Sequence, residues 1–129
     1  MGIEHVAIWT SRLEALTAFY TRFLGALAGP PYRSVSRPFE SCFLSFPSGA
    51  RLELMRLPDL APAAGPAPRV GLAHLAFKVG SPADVDRLTE ELDAAGFVVE
   101  GRPRRTGDGY YESVVLDPDG NRVELVAGA

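Results

Sequence analysis

Gly49-Ala-Arg-Leu-Glu-Leu-Met55 and Gly120-Asn-Arg-Val-Glu-Leu-Val126 coincide at Gly, Arg, Glu and Leu, 71 residues apart. The match extends to the start of each half, where Ile3-Glu-His-Val-Ala-Ile8 lies over Leu72-Ala-His-Leu-Ala-Phe77 at an offset of 69. Two registers that differ by so little mark one structural unit used twice. The halves, 1–57 and 70–129, read as repeated modules of a single domain, joined by a Pro/Ala-rich linker over 58–69 that holds neither helix nor ladder.

Each half opens with an alternating strand, near 3–9 and 72–79, followed by a helix. In the first helix Ser11-Arg-Leu-Glu14 predicts a capping box, and Leu13, Leu16, Tyr20, Phe23 and Leu24 recur at helical spacing until Gly25. In the second, Ser81-Pro82 predicts an N-cap with a first-turn proline; Val85, Leu88, Leu92 and Ala95 form the stripe, ended by Gly96. Three β-rich segments follow in each half, 27–33, 39–47 and 50–56, then 97–103, 110–117 and 121–127. Turns at Pro47-Ser-Gly49 and Asp117-Pro-Asp-Gly120 join the last two. The expected fold class is α+β: two βαβββ modules, each a small mixed sheet with a helix on one face, whose sheets face each other around a metal-lined cavity.

Strand parity selects the chemistry. Val6 and Ile8 oppose His5, Ala7 and Trp9, while Leu75 and Phe77 oppose His74, Ala76 and Lys78. Leu52 and Leu54 oppose Glu53; Val123 and Leu125 oppose Glu124. A helix over the aliphatic face leaves the other face with His5, Glu53, His74 and Glu124. A lone strand histidine or glutamate is ordinarily solvated. The case here rests on coincidence, because the chain has only 2 histidines and both fall at one repeat-equivalent position. Two imidazoles and two carboxylates suit Ni²⁺, Co²⁺, Zn²⁺, Mn²⁺ or Fe²⁺ and leave coordination positions open. A substrate with adjacent oxygens can chelate such an ion, which stabilises the charge that develops as a neighbouring C–H proton leaves. Glu124 or Glu53 is the expected base, and repeat symmetry does not choose between them.

This pattern resembles the vicinal oxygen chelate superfamily, which contains glyoxalase I (lactoylglutathione lyase), fosfomycin and bleomycin resistance proteins, methylmalonyl-CoA epimerase and ring-cleaving dioxygenases. The marks are His5, Phe19-Tyr20 with Leu24-Gly25, Glu53 in Leu52-Glu-Leu54, His74 in Ala73-His-Leu75, and Asp117-Pro-Asp-Gly-Asn-Arg-Val-Glu-Leu125. The His/Glu/His/Glu set is most similar to that of bacterial glyoxalase I. The resemblance implies a metal-dependent lyase or isomerase acting on a small α-hydroxycarbonyl compound, or its thiol adduct, through an enediolate. It also implies a homodimer, with each metal held within one chain or shared between two. Trp9 and Leu57 stand where glyoxalase I typically carries an Arg and an Asn that touch glutathione, which puts glutathione dependence in doubt. The alternatives are an Fe²⁺ ring-cleaving dioxygenase and a non-enzymatic protein that sequesters an antibiotic or other aromatic ligand.

Beyond the metal, Trp9 and Lys78 are repeat equivalents facing the cavity, one able to stack on an apolar group and the other to pair with a carboxylate. Arg104 and Arg105, with Arg102 around Pro103, form a basic loop able to clamp an anion. Cys42, the only cysteine, is expected to pack as a small apolar residue and excludes a disulfide scaffold. With 13 basic and 16 acidic residues the chain lacks the positive face that a nucleic-acid partner needs. No stretch has the composition of a signal peptide or membrane span, so a cytoplasmic location is expected.

Overall fold

Alternation in the first five-residue strand, β1 (His5–Trp9), turns Val6 and Ile8 toward a helix and His5, Ala7 and Trp9 away from it. The computed structural model describes residues 1–128. Met1–Ala64 and Gly65–Ala129 form two compact units. In the first, β1 is followed by α1 (Leu13–Leu24), two short strands β2 (Leu27–Ala28) and β3 (Tyr32–Arg33), then β4 (Glu40–Ser45) and β5 (Arg51–Arg56). β5 is central, parallel to β1 and antiparallel to β4, and β2 and β3 both pair with β4. The second unit runs β6 (Leu75–Gly80), α2 (Pro82–Ala94), β7 (Val99–Arg105), β8 (Tyr111–Leu116) and β9 (Arg122–Ala127), in sheet order β6-β9-β8-β7. Each unit is a βαβββ module with one mixed sheet, and the class is α+β.

Each sheet buries its aliphatic face under its helix. Leu16, Phe19 and Tyr20 of α1 and Leu44, Leu52 and Leu54 of the sheet are at most 4% exposed. Val85 and Leu92 of α2 meet Val115, Val123 and Leu125 in the same way, all of them fully buried. Phe19 joins the core without having been part of the expected stripe, whereas Phe23 and Leu24 are half-buried and Ala95 is exposed. Phe23 and Leu24 belong to the last turn of α1, and Ala95 is the C-cap residue after α2. Cys42 is buried as expected, which pushes its thiol pKa up.

Three local expectations are corrected. The first helix has no capping box: its N-cap is Arg12, and no side chain caps it. Thr10 Oγ1 instead accepts from the Arg12 N–H at 2.8 Å, which draws the chain past Ser11 before the helix begins. The segment 27–33 is two strands, because Gly29-Pro30-Pro31 supplies two residues without an N–H for the ladder. The opening strand of the second unit starts at Leu75, so His74 sits just ahead of it. The second helix has the capping box the first lacks: Ser81 Oγ accepts from Asp84 N at 3.3 Å, and Asp84 Oδ2 accepts from Ser81 N at 2.8 Å.

The turn before β9 is held from within. Asp117, 4% exposed, accepts from the N–H groups of Asp119 and Asn121 and from Asn121 Nδ2, at 2.9–3.0 Å. Gly120 takes the positive φ of 83° that closes it. This turn sets the register of β9 and hence the position of Glu124.

Candidate metal centre

The pairing of β1 with β5 sets Ala7 beside Glu53 and His5 beside Arg51, so His5 and Glu53 are diagonal neighbours on the face away from α1. His5 Nε2 lies 3.6 Å from Glu53 Oε1. In the second unit Ala76 lies beside Glu124, and His74 Nε2 comes within 3.2 Å of Glu124 Oε2. The side chains match in exposure too, 40% for each histidine and 17% and 18% for the glutamates. Each unit therefore brings its expected imidazole and carboxylate together. Among the described residues no group of three or more His, Cys, Asp or Glu side chains is placed to hold a metal ion.

The His74–Glu124 pair nonetheless spans one edge of a metal's coordination shell, and the His5–Glu53 pair is slightly wider than one. Ligand atoms about 2.1 Å from an ion stand roughly 3.0–3.4 Å apart at octahedral or tetrahedral angles. His5 adds a sharper argument. Its Nδ1 is 3.2 Å from Glu4 Oε1, and Arg51 binds the same carboxylate through Nε at 3.0 Å and through Nη2. The Arg51 hydrogen bonds, with a smaller contribution from His5, lower the Glu4 pKa to about 2, so Glu4 only accepts. In the tautomer that donates from Nδ1 to Glu4, Nε2 presents its lone pair to the Glu53 carboxylate, an acceptor–acceptor approach that a cation between the two relieves. Phe43 steadies the group, edge-on to His5 at 5.5 Å and stacked under Arg51 at 4.2 Å.

Around His74 and Glu124 lies a cavity of about 600 Å³, lined also by Lys78, Asp108, Tyr110 and Glu112. Burial, reinforced by Glu112 and Asp108, pushes the Glu124 pKa above the usual carboxylate range against the opposing pull of His74. Lys78 thus stands beside the pair, as its parity implied. The expected basic loop is corrected: its arginines lie in β7, paired to β8, and the ladder parts them. Arg104 pairs with Glu112 across the ladder, its Nη2 3.9 Å from Oε1, on the His74–Glu124 face. Arg105 pairs with Tyr111 on the face toward α2, where Tyr111 donates to Asp86. Arg102 reaches Glu90 of that helix.

A family model described as Glyoxalase/Bleomycin resistance protein/Dioxygenase superfamily matches residues 2–125. The chain belongs to this superfamily. Within it, the chain is 36% identical to the uncharacterized protein YqjT of Bacillus subtilis (strain 168), over 97% of this chain and 98% of that one. Among glyoxalase-superfamily structures it resembles lactoylglutathione lyase from Agrobacterium tumefaciens, at 27% identity with a TM-score of 0.68, covering 98% and 93% of the two chains. A superfamily domain from Frankia sp. EAN1pec shares the fold at 23% identity and a TM-score of 0.83, covering 100% and 98%.

Glu4, Tyr110 and Glu112 were not among the residues expected at the site. Glu4 precedes β1, so the alternation of the strand does not place its side chain. Glu112 was findable as the repeat equivalent of Ser41.

Proposed function

We propose that the protein is a metal-dependent lyase or isomerase of glyoxalase I type, acting on a small α-hydroxycarbonyl compound or its thiol adduct. The observation that carries this reading is the same imidazole–carboxylate pair in both units, at 3.6 and 3.2 Å. His5, Glu53, His74 and Glu124 would hold one divalent ion of the Ni, Co, Zn, Mn or Fe type, within one chain or across a homodimer. The bound ion supplies Lewis acidity toward vicinal substrate oxygens.

Glu124 is the better placed base. It lines the cavity, and its raised pKa gives it a greater appetite for a proton than an ordinary glutamate. It takes the proton from the carbon bearing the hydroxyl as the electron pair moves toward the carbonyl oxygen. Delivery of that proton to the adjacent carbon, with passage of the hydroxyl proton to the former carbonyl oxygen, completes a 1,2-isomerisation with no net change in atoms or electrons. Glu4, accepting from the His5 Nδ1–H, would keep the Nε2 lone pair turned toward Glu53. Lys78 pairs with an anionic substituent of the substrate, and Arg104 adds positive charge at the far side of Glu112.

The test is elemental analysis of protein purified without a metal-affinity step, together with proton NMR of hydroxyacetone in D₂O. About one divalent ion per pair of units and chelator-sensitive exchange of the carbinol C–H are expected. Protein that binds no divalent ion, or exchange that survives both chelator and Glu124→Gln, would overturn the reading.

A further inference from the structure

Trp9 and Tyr32 are large aromatic side chains left 50% and 56% exposed on the sheet face that carries His5 and Glu53. The ladder places them at the two ends of one row, Trp9–Met55–Ser41–Tyr32, running across β1, β5, β4 and β3. The neighbouring row is Ala7–Glu53–Phe43, two residues along the strands or about 7 Å away. Phe39, 8% exposed, joins the two ends: its ring centroid is 6.3 Å from Trp9, nearly perpendicular, and 6.2 Å from Tyr32. Arg37 stacks on Phe39 at 4.6 Å.

The fold does not require aromatic residues here. The equivalent row of the second unit, on the same scaffold in the same register, is Lys78–Val126–Glu112–Arg104. Packing demands are alike in the two sheets, so the difference reports on what lies against them. Two half-exposed rings offer on the order of 200 Å² of apolar surface. A stable protein interface takes about 800 Å² per partner. The platform has the area of a small molecule's ring.

We infer that Trp9, Phe39 and Tyr32 bind a flat aromatic group of the substrate and make this protein selective for aromatic α-hydroxycarbonyl compounds. This deepens the proposed function and rests on it for the vicinal oxygens, but not for the ring. Trp9 is the only tryptophan, so its emission reports on the platform directly.

The experiment compares 2-hydroxyacetophenone with hydroxyacetone, which share the ketol and differ by a phenyl ring, on the whole protein loaded with Zn²⁺ and again in excess chelator. Affinities come from calorimetry and from Trp9 fluorescence. At least a tenfold preference for the phenyl ketol, with quenching of Trp9, is expected. In Tyr32→Ala, and in Trp9→Ala read by calorimetry, the ratio of the two affinities falls toward one. Circular dichroism confirms folding, and Tyr32→Leu repeats the test should one variant fail to fold. A phenyl preference that persists in chelator supports the platform while overturning the metal-centred function. No preference in the unsubstituted protein, including failure of both ketols to bind, overturns the platform. So does a Trp9→Ala protein that keeps the preference but loses mass in sedimentation, which would assign the rings to a second copy of the chain.

Discussion

The two units share a scaffold and differ in what they put on it. At equivalent positions both carry a fully buried leucine, Leu54 and Leu125, on the helix side of the strand that supplies the glutamate. Both carry histidine and glutamate within 3.6 Å on the other side. One row further on, the first unit has Trp9, Met55, Ser41 and Tyr32 where the second has Lys78, Val126, Glu112 and Arg104. Positions under a helix answer to packing and stay apolar in both copies. Positions beside the pair are released from that demand and have become aromatic in one unit and charged in the other. The support behind each histidine differs as well: Glu4 and Arg51 steady His5, while alanine precedes His74.

The largest effects test the shared scaffold. Leu54→Ala and Leu125→Ala should each cost about 2–5 kcal/mol in denaturant unfolding, because each empties a fully buried position. A cost below 1 kcal/mol at either would break the equivalence of the two cores. Next come the pairs: His5→Ala and His74→Ala should each lower metal affinity about tenfold or more, measured by competition with a chromogenic chelator. Glu4→Gln should cost nearly as much at His5, through loss of the ring's orientation. An effect of Arg51→Ala as large as that of His5→Ala would mean that the face is structural and not a ligand set.

A smaller effect separates the helix caps. Ser81→Ala should cost about 1 kcal/mol, whereas Ser11→Ala should be close to neutral since Ser11 caps nothing. The smallest is a pH effect at Glu124. A carboxyl whose folded pKa is raised binds a proton more readily folded than unfolded, so the metal-free protein gains stability as pH falls from neutral through the folded pKa. Metal affinity moves the opposite way over the same range, because the proton competes with the ion. Glu124→Gln should flatten the stability slope, as followed by thermal unfolding against pH.

Much of this was legible in the residues. The repeat and the alternation around His5, Glu53, His74 and Glu124 gave the βαβββ order and brought each histidine to its glutamate, since both are read from spacing alone. What spacing does not carry is competition between neighbours for the same hydrogen bond. Ser11 with Glu14 has the form of a capping box, yet Thr10 accepts from the Arg12 N–H, the helix takes Arg12 as its N-cap and no side chain caps it. Glu4 and Phe39 lie outside their strands, and Tyr32 within one of only two residues, where alternation gives no purchase.

Strand β7 shows how one residue can break an alternation. Gly101 stands opposite Val114 and Arg104 opposite Glu112, so three steps on β7 answer two on β8 and the ladder slips at Pro103, which has no N–H to give it. Everything downstream of that proline changes sides. Arg104 and Gly101 share a face across an odd interval, and Arg105 is turned over to the helix. Excising Pro103 would take out the dropped stitch and leave the guanidiniums at 104 and 105 on the sides they hold now, whereas a regular ladder that kept the proline's place would send 104 under α2 and bring 105 out.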